Sequence, residues 1–328
     1  MSFYKNINII RAVCDLQNGI PVSAILNEGL KSARKKFYFI KDAINNNFPQ
    51  NTQYEVITTK ENKTHNILYQ NANLPQSKEE EQLIEITKLL ELQPILIAFT
   101  SLPSDFTGIV INEIKHAEVQ NFILEFKNEL NFFEKSPIQL KMAENCEFYV
   151  FKTPYLNKEH YIIKIKNPEK DEVPLIRVHS SCYTGDLLAS LRCDCRDQLQ
   201  ESIKFINNNP NFNGGYILYL MQEGRGIGLA NKIKAYKLQQ LDGLDTVDSN
   251  LALGFKDDER NFMPAVKMLE FLKIKEVFLL TNNPKKVQDL KSLGVNIKNS
   301  INTVFAKNEY NEDYLKIKEE RMKHSFKN

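Results

Sequence analysis

Apolar and polar positions along the first 150 residues alternate between helical and strand-like spacing. Helical spacing covers residues 6–17, 30–45 and 78–92, and short apolar runs that predict strands cover residues 21–26, 94–99 and 108–112. Gly19 is a stop signal for the first helix, and the acidic start of the third helix suits the positive end of a helix dipole. We therefore predict that this half of the chain folds as an α/β domain.

The second half of the chain repeats this alternation with more strongly apolar strands. Predicted strands cover residues 148–151, 160–166, 175–178, 215–221 and 276–280, and predicted helices cover residues 194–206 and 261–272, with one further helix around residues 232–236 and another that ends at Gly294. Ser-Pro at residues 136–137 and Thr-Pro at residues 153–154 interrupt the pattern. These breaks predict one α/β domain over residues 1–150 and a second over residues 151–328.

The composition is that of an ordinary globular protein. Of the 328 residues, 42% are hydrophobic and 26% are charged, and the formal net charge is +2. A dedicated nucleic-acid binder would be markedly basic, so we expect no nucleic-acid partner. No apolar run approaches the length of a membrane span, and the first residues lack a basic leader followed by an apolar core. We expect a cytoplasmic protein without a membrane partner.

Three of the five cysteines, Cys182, Cys193 and Cys195, lie within fourteen positions. In a reducing compartment, metal binding explains such a cluster better than disulfide bonds do. Three thiolate ligands would leave the fourth position of a tetrahedral zinc ion open for water, which is the catalytic arrangement. Free cysteine can also pack as a small apolar side chain, so the spacing alone leaves both interpretations open. His179 is more typical of a structural hydrogen bond than of a fourth ligand.

Glycine, lysine and arginine residues follow two of the predicted strands. The run QEGRGIG at residues 222–228 lies between a strand and a helix, and TNNPKK at residues 281–286 follows another strand. Backbone N–H groups at such positions can bind phosphate, with Arg225 as a charged clamp. The glycines can equally form a tight connection, because the run matches neither the P-loop nor the dinucleotide fingerprint. The acidic run at residues 257–259 suits a helix start, which leaves Arg260 beside it unexplained.

Four long motifs together resemble one family. They read RVHSSCYTGDLLASLRCDCRDQLQ, YLMQEGRGIGLANKIKAY, GLDTVDSNLALGFKDDERNF and VFLLTNNPKKV. Their order and spacing are similar to those of GTP cyclohydrolase II over about residues 174–324. The resemblance implies an α/β catalytic domain with a mixed sheet. It also implies hydrolysis of GTP to 2,5-diamino-6-(5-phosphoribosylamino)pyrimidin-4-one, formate and pyrophosphate, at the start of riboflavin biosynthesis.

The resemblance implies roles for individual residues. The metal ligands would be Cys182, Cys193 and Cys195, which hold one Zn2+ per chain. The catalytic residues would be Asp258, Arg260 and Tyr236. The contacts to GTP would be made by Arg177, Val178, His179, Ser180, Ser181, Gln198, Glu223, Gly224, Arg225, Thr246, Thr281 and Lys286. Mg2+ is expected with the triphosphate, and the family is commonly homodimeric.

The implied chemistry suits these residue types. Zinc lowers the pKa of its water toward neutrality, which favours attack on the guanine imidazole ring and release of formate. The family assigns the arginine that matches Arg260 as a nucleophile toward the α-phosphate, with the aspartate that matches Asp258 as proton acceptor. Because a guanidinium is a poor nucleophile, clamping of the transition state by Arg260 is an equal alternative. Tyr236 would transfer a proton or orient the water.

The chain departs from the family's pattern in two places. Ser181 stands where the family often has an acidic residue, so one contact to GTP is lost or made by a hydroxyl. Residues 1–150 lack the acidic run and the R-P-G-H segment of dihydroxybutanone phosphate synthase, which precedes this domain in many bacteria, and only residues 10–22 are similar to it. We predict no synthase activity. A non-catalytic nucleotide-binding regulatory protein and a cyclohydrolase that stops at the formamide stay open as alternative functions.

Overall fold

The structure, a computed structural model, describes residues 7–18, 22–26, 34–40, 55–59, 72–99, 113–114, 116–154, 158–168 and 172–302. The chain forms two compact units that interleave along the sequence. One is drawn from Met1–Phe126 and Arg225–Glu259, and the other from Lys127–Gly224 and Arg260–Asn328. The division into functional domains at residue 150 stays a prediction.

Helices and strands follow one another along both halves of the chain. The helices are α1 (Ile7–Gln17), α2 (Lys78–Leu89), α3 (His116–Asn128), α4 (Cys195–Asn208), α5 (Glu223–Gly226), α6 (Leu229–Asp242), α7 (Thr246–Ala252), α8 (Met263–Phe271) and α9 (Pro284–Ser292). The strands are β1 (Val22–Leu26), β2 (Arg34–Ile40), β3 (Glu55–Thr58), β4 (Ile95–Phe99), β5 (Glu113–Ile114), β6 (Asn131–Leu140), β7 (Ala143–Lys152), β8 (Glu159–Lys166), β9 (Leu175–Ser180), β10 (Gly214–Leu220), β11 (Glu276–Leu280) and β12 (Asn296–Ile301). None of the described helices is long and apolar enough to span a membrane.

The first unit is built on a five-stranded sheet with the strand order β3-β4-β2-β1-β5. Neighbouring strands are antiparallel except for the short parallel pair β1–β5. β4 is buried along its whole length, and α2 buries Leu83 and Ile86 at helical spacing. Ser77 caps α2 by accepting a hydrogen bond from the Glu80 N–H. The α/β class predicted for this part of the chain is therefore confirmed.

One predicted element of the first unit is wrong. The helix expected over residues 30–45 is replaced, over its described part, by β2, which pairs with both β1 and β4. The aromatic residues of β2 suit a strand, and pairing along both edges overrides a local spacing that also fits a helix. The strand expected over residues 108–112 lies outside the described residues.

The first unit also contains the later segment Arg225–Glu259, which carries α6 and α7. Gly228 precedes α6, and Asp245 caps α7 by accepting from two backbone N–H groups. A small buried core in this segment consists of Ile227, Ala235, Leu253 and Phe255. The segment Arg225–Glu259 therefore contains the end of the glycine-rich run and the whole acidic run, and it folds as part of one compact unit.

The second unit is built on a seven-stranded mixed sheet in the order β12-β11-β9-β10-β8-β7-β6. The strands from β12 to β10 run parallel to one another, and β10, β8, β7 and β6 are antiparallel neighbours. α8 and α9 pack on one apolar cluster of this sheet, whereas α4 packs on another. The mixed sheet predicted for the C-terminal region is confirmed, and β6 and β7 extend it to residues before 150.

The parallel strands β9, β10 and β11 direct their carboxyl ends toward the same edge of the second sheet. Gly215 allows β10 to start close to β9, because a Cβ atom there would lie 2.1 Å from the Leu175 carbonyl oxygen. β9 and β10 then stay in register until Ser180 pairs with Leu220. Open α/β sheets bind ligands at such edges, and the predicted cysteine cluster follows β9 directly.

Candidate functional site

The three clustered cysteines come together at the end of β9. Cys182 follows this strand and precedes a π-helical turn (Tyr183–Leu187), whereas Cys193 lies two residues before α4 and Cys195 is the first residue of that helix. Their Sγ atoms all lie within 4.8 Å of one another, and those of Cys182 and Cys193 are 3.7 Å apart. The structure therefore brings together the three side chains that the sequence predicted as metal ligands.

Gly185, in the π-helical turn, packs its backbone directly against the three cysteines. A Cβ atom at this position would lie 2.8 Å from the Cys193 Sγ and 3.1 Å from the Cys182 Sγ. Real Cβ atoms essentially never show the first of these distances, so a side chain here would displace a sulfur atom. Glycine at this position lets the turn close over the cluster.

The pKa values of two thiols of the cluster, Cys193 and Cys195, are raised above the ordinary value. Hydrogen bonding to Cys182 raises the pKa of Cys193 to about 11, and the pKa of Cys195 is raised in the same way, chiefly by Cys182 and then by Cys193. Three thiolates at these distances repel one another, and a divalent cation between them offsets that repulsion. Thiolate ligands in this number suit a borderline-soft metal such as zinc, so the donor set fits the predicted ion.

Asp186 is a buried acidic residue beside the cluster that the sequence reasoning missed. Its Oδ2 atom accepts hydrogen bonds from the Tyr219 hydroxyl at 2.7 Å and the Cys182 N–H at 3.1 Å, and lies 3.3 Å from His179 Nε2. Burial lowers the pKa of His179 more than the Asp186 carboxylate raises it. The Nε2 contact with Asp186 agrees with leaving His179 out of the ligand set.

Two buried cations lie at the edge formed by β9 and β11. Arg177 donates to the Leu280 carbonyl oxygen and to Gln198 Oε1, and its burial lowers its pKa to about 10. Lys286, at the start of α9, donates to the Val178 carbonyl oxygen at 2.8 Å. Positive side chains so deeply buried favour a negatively charged ligand nearby. Hydrogen bonds therefore join four predicted GTP contacts in two pairs, Arg177 with Gln198 and Lys286 with Val178.

Several atoms of the predicted GTP contacts in β9 and after it are buried without a protein partner. These atoms are Arg177 Nε, Ser180 Oγ and Ser181 Oγ, none of which has a hydrogen-bond partner within the described parts of the chain. Most buried polar atoms in proteins are hydrogen-bonded, so this concentration fits a polar ligand or water at the end of β9. Thr281, a further predicted contact, is also buried, where its hydroxyl accepts from the Asn283 N–H.

Glu223 connects the cysteine turn with the glycine-rich run. Its carboxylate accepts hydrogen bonds from the backbone N–H groups of Tyr183 and Gly224, and it is 4% exposed. Gly224 has a φ of 61°, in the left-handed region that favours glycine. The Glu223 carboxylate is therefore occupied by main-chain donors, which makes it a support for the two turns as well as a predicted contact.

The remaining predicted residues lie on the segment Arg225–Glu259 and just after it. Arg225 adopts a φ of 62° despite its side chain, and its carbonyl oxygen accepts from the Glu259 N–H. Tyr236 lies on α6 with Lys232 Nζ 5.7 Å from its ring centroid, and Thr246 begins α7. The Arg260 guanidinium lies 5.4 Å from the Phe262 ring centroid. The assembly of these residues and the cysteine cluster into one site stays a prediction.

Comparison with known proteins assigns most of this region to one family. The family model for GTP cyclohydrolase II matches residues 133–302. A GTP cyclohydrolase-2 of Acinetobacter baumannii (strain SDF) is 50% identical over 179 residues, which are 54% of this chain and 87% of that protein. A GTP cyclohydrolase-2 of Picrophilus torridus is 43% identical over 198 residues, which are 60% of this chain and 100% of that protein.

A longer match includes part of the N-terminal half. The riboflavin biosynthesis protein RibBA of Staphylococcus saprophyticus is 37% identical over 257 residues, which are 74% of this chain and 63% of that protein. The family model alone covers more than half of the chain, and it includes all of β7 to β12 and all of β6 except its first two residues. This chain belongs to the GTP cyclohydrolase II family, the hydrolases of riboflavin biosynthesis that act on GTP.

Proposed function

We propose that the chain catalyses the zinc-dependent hydrolysis of GTP to the ring-opened diaminopyrimidine ribosyl phosphate, with release of formate and pyrophosphate. The observation that carries this proposal is the convergence of three thiols within 4.8 Å at the end of β9. Two buried cations of the same strand edge, Arg177 and Lys286, accompany them. A metal-binding thiol cluster next to an anion-attracting edge suits a reaction that opens a ring and cleaves a triphosphate.

Cys182, Cys193 and Cys195 would hold one Zn2+ through three thiolates, and three protein ligands are typical of catalytic zinc sites. When bound, zinc would supply Lewis-acid activation of water for attack on the guanine ring. Gly185 keeps space for the sulfur atoms, and Asp186 fixes the backbone of Cys182 through its N–H. The protein's own contribution at this point is to hold three thiolates in a fixed arrangement.

The triphosphate would lie against Arg177 and Lys286, and Mg2+ would offset part of its negative charge. The unpartnered Arg177 Nε and the hydroxyls of Ser180 and Ser181 support this placement, because they are buried polar atoms at the same strand end. Ser181 offers a hydroxyl where a carboxylate is common in the family, which places one fewer negative charge near the phosphates. Gln198, already bonded to Arg177, orients that guanidinium.

Asp258, Arg260 and Tyr236 would carry the proton transfers and the cleavage of the triphosphate. Asp258 would accept a proton, and the Tyr236 hydroxyl would donate one or orient the water. Arg260 would either attack the α-phosphate or stabilise its charge as a clamp, and a guanidinium is better suited to the second role. Trapping of a phosphoramidate adduct between Arg260 and GTP would show that Arg260 attacks the α-phosphate.

The experiment is incubation of the zinc-loaded chain with GTP and Mg2+, followed by quantification of formate, pyrophosphate and the pyrimidine product. We expect equal amounts of all three. Cys193→Ser should abolish product formation, whereas Cys146→Ser, a buried cysteine outside the cluster, should not. Full activity of Cys193→Ser would refute the zinc-dependent reaction, and a formamide product without formate would support the truncated reaction instead.

A homodimer and a cytoplasmic location are the remaining expectations. Leu187, Leu188 and Leu191, around the cysteine turn, are 71%, 77% and 55% exposed, and exposed apolar clusters of this kind often mark protein interfaces. Sizing with light scattering should give twice the 38.0 kDa chain mass, and Leu188→Glu should lower that mass.

Cell fractionation checks the expected cytoplasmic location. Conversion of ribulose 5-phosphate by the purified chain would refute the expected lack of synthase activity.

A further inference from the structure

Residues of the N-terminal half contact the segment that carries the predicted catalytic residues. Lys88, the penultimate residue of α2, forms an ion pair with Glu259, with 2.6 Å between Nζ and Oε1. The two side chains are 10% and 14% exposed, so water screens this pair only weakly. The two residues are 171 positions apart in the sequence and belong to the same compact unit.

Glu259 lies between the two residues proposed to form the catalytic pair, Asp258 and Arg260. Its Oε1 atom also accepts from the Lys256 N–H at 3.0 Å, and its own N–H donates to the Arg225 carbonyl oxygen at 3.0 Å. The backbone before Asp258, at Lys256, and the backbone between Asp258 and Arg260, at Glu259, are thus each held by a hydrogen bond that involves Glu259. Lys88 neutralises that carboxylate and sets its position.

Further contacts of the N-terminal half hold the start of the same segment. The Glu91 carbonyl oxygen accepts from Asn231 Nδ2 at 2.8 Å, and Gln93 Oε1 accepts from Lys234 Nζ at 2.9 Å. A Cβ atom on Gly228 would lie 2.7 Å from the Glu91 Cβ, so Glu91, in the turn after α2, packs directly against the backbone of Gly228. The region around residues 88–93 therefore contacts both the start and the end of Arg225–Glu259.

We propose that Lys88 is a positioning residue for GTP hydrolysis, which acts through Glu259 on the segment of Asp258 and Arg260. The N-terminal half would then serve the reaction as a support for the catalytic segment. This inference rests on the proposed function of Asp258 and Arg260. Small displacements of catalytic groups cost large factors in rate, so a buried ion pair beside them affects turnover more than substrate affinity.

The test compares Lys88→Met with Lys78→Met, which removes an exposed lysine from the first position of the same helix. Lys88→Met should lower kcat for GTP about tenfold or more with KM changed by less than about twofold, since loss of position affects the transition state. Lys88→Arg should restore most of the activity because it keeps the charge. Hydrogen exchange of the amides at residues 254–260 should become faster in Lys88→Met and stay unchanged in Lys78→Met.

A second variant keeps the test decisive if Lys88→Met fails to fold. Lys88→Met combined with Glu259→Gln removes both charges and leaves no buried unpaired ion, so it should fold and show the same low kcat as the single variant. A folded variant without the ion pair that keeps normal kcat and normal amide exchange would overturn the inference. If the unmodified chain does not hydrolyse GTP, the proposed function fails, and the exchange comparison still decides whether Lys88 fixes the segment.

Discussion

His160 should make the stability of the second unit sensitive to mild acid. This residue of β8 is 3% exposed, and its Nδ1 atom accepts a hydrogen bond from the Met221 N–H at 3.0 Å. Burial lowers the pKa of His160 to about 3. Met221 immediately precedes the glycine-rich run, so the neutral imidazole supports the turn that leads to the predicted contacts Glu223 and Gly224.

The sign and size of the effect follow from proton linkage. Below pH 6.5, the ordinary pKa of histidine, the unfolded chain binds a proton that the folded chain does not bind until about pH 3, so the free energy of unfolding falls as the pH falls through this range. The free energy of unfolding should fall by about 2 kcal/mol between pH 7.5 and pH 5, because each full pH unit below 6.5 lowers it by about 1.4 kcal/mol. Well above pH 6.5 neither state binds this proton, so His160 then causes no loss of stability.

The measurement is denaturant unfolding of the full chain and of His160→Asn at pH 7.5 and pH 5. Asparagine can offer an acceptor to the Met221 N–H without titrating, so the variant should lose about 2 kcal/mol less than the parent chain over this interval. Added salt should leave the difference unchanged, because burial rather than the charge of Lys158 dominates the pKa shift. Equal losses in the two proteins, or an imidazole that titrates near pH 6.5 by NMR, would refute the reasoning.

Three further changes concern the cysteine cluster. Cys193→Ser should reduce bound zinc below half an ion per chain, measured by metal analysis after gel filtration, because one of three thiolates is lost. Gly185→Ala should also reduce bound zinc, because its Cβ would collide with the sulfur atoms. The control is Gly294→Ala, where a Cβ would meet no atom within 4 Å but the backbone has a φ of 89°. This control should cost about 1 kcal/mol of stability and retain zinc. Asp186→Ala should destabilise the fold by roughly 3 kcal/mol in thermal unfolding, since the Cys182 N–H and the Tyr219 hydroxyl lose their acceptor and His179 loses a polar contact. Asp186→Asn should destabilise the fold by less, and equal losses in the two variants would contradict this hydrogen-bond network.

Apolar spacing predicted most strands and helices of the second unit because those elements bury one face or both faces in a continuous core. β10 and β11 are examples, since their apolar runs are bounded by glycine or polar residues and lie inside the sheet. The same spacing failed at β2, where a short aromatic stretch fits a helix and a strand equally well. Pairing with β1 and β4 decided that case, and a local pattern contains no information about such partners.

The candidate site was predictable where residue type alone restricts chemistry. The spacing of the three clustered cysteines left metal binding and apolar packing both open, the four family motifs favoured metal binding, and the structure brings their sulfur atoms together. Asp186 was missed because an acidic residue four positions after a cysteine is common, and its role depends on Tyr219 of β10, which lies 33 positions away in the sequence. The Thr-Gly-Asp turn between the cysteines was the available signal, since a glycine and an acid in such a turn can both face the metal ligands.

The contribution of the N-terminal half follows from what the relatives share with the chain. The Picrophilus torridus relative is matched over its whole length by 60% of this chain, so that protein has no counterpart to the remaining part. The family model covers residues 133–302, which contain the cysteine cluster and Arg225–Glu259. In this chain the same segment packs in one compact unit with N-terminal residues and makes a buried ion pair with Lys88. A part of the chain that supplies no reactive group can still set kcat, because it fixes the backbone on which the reactive groups are carried.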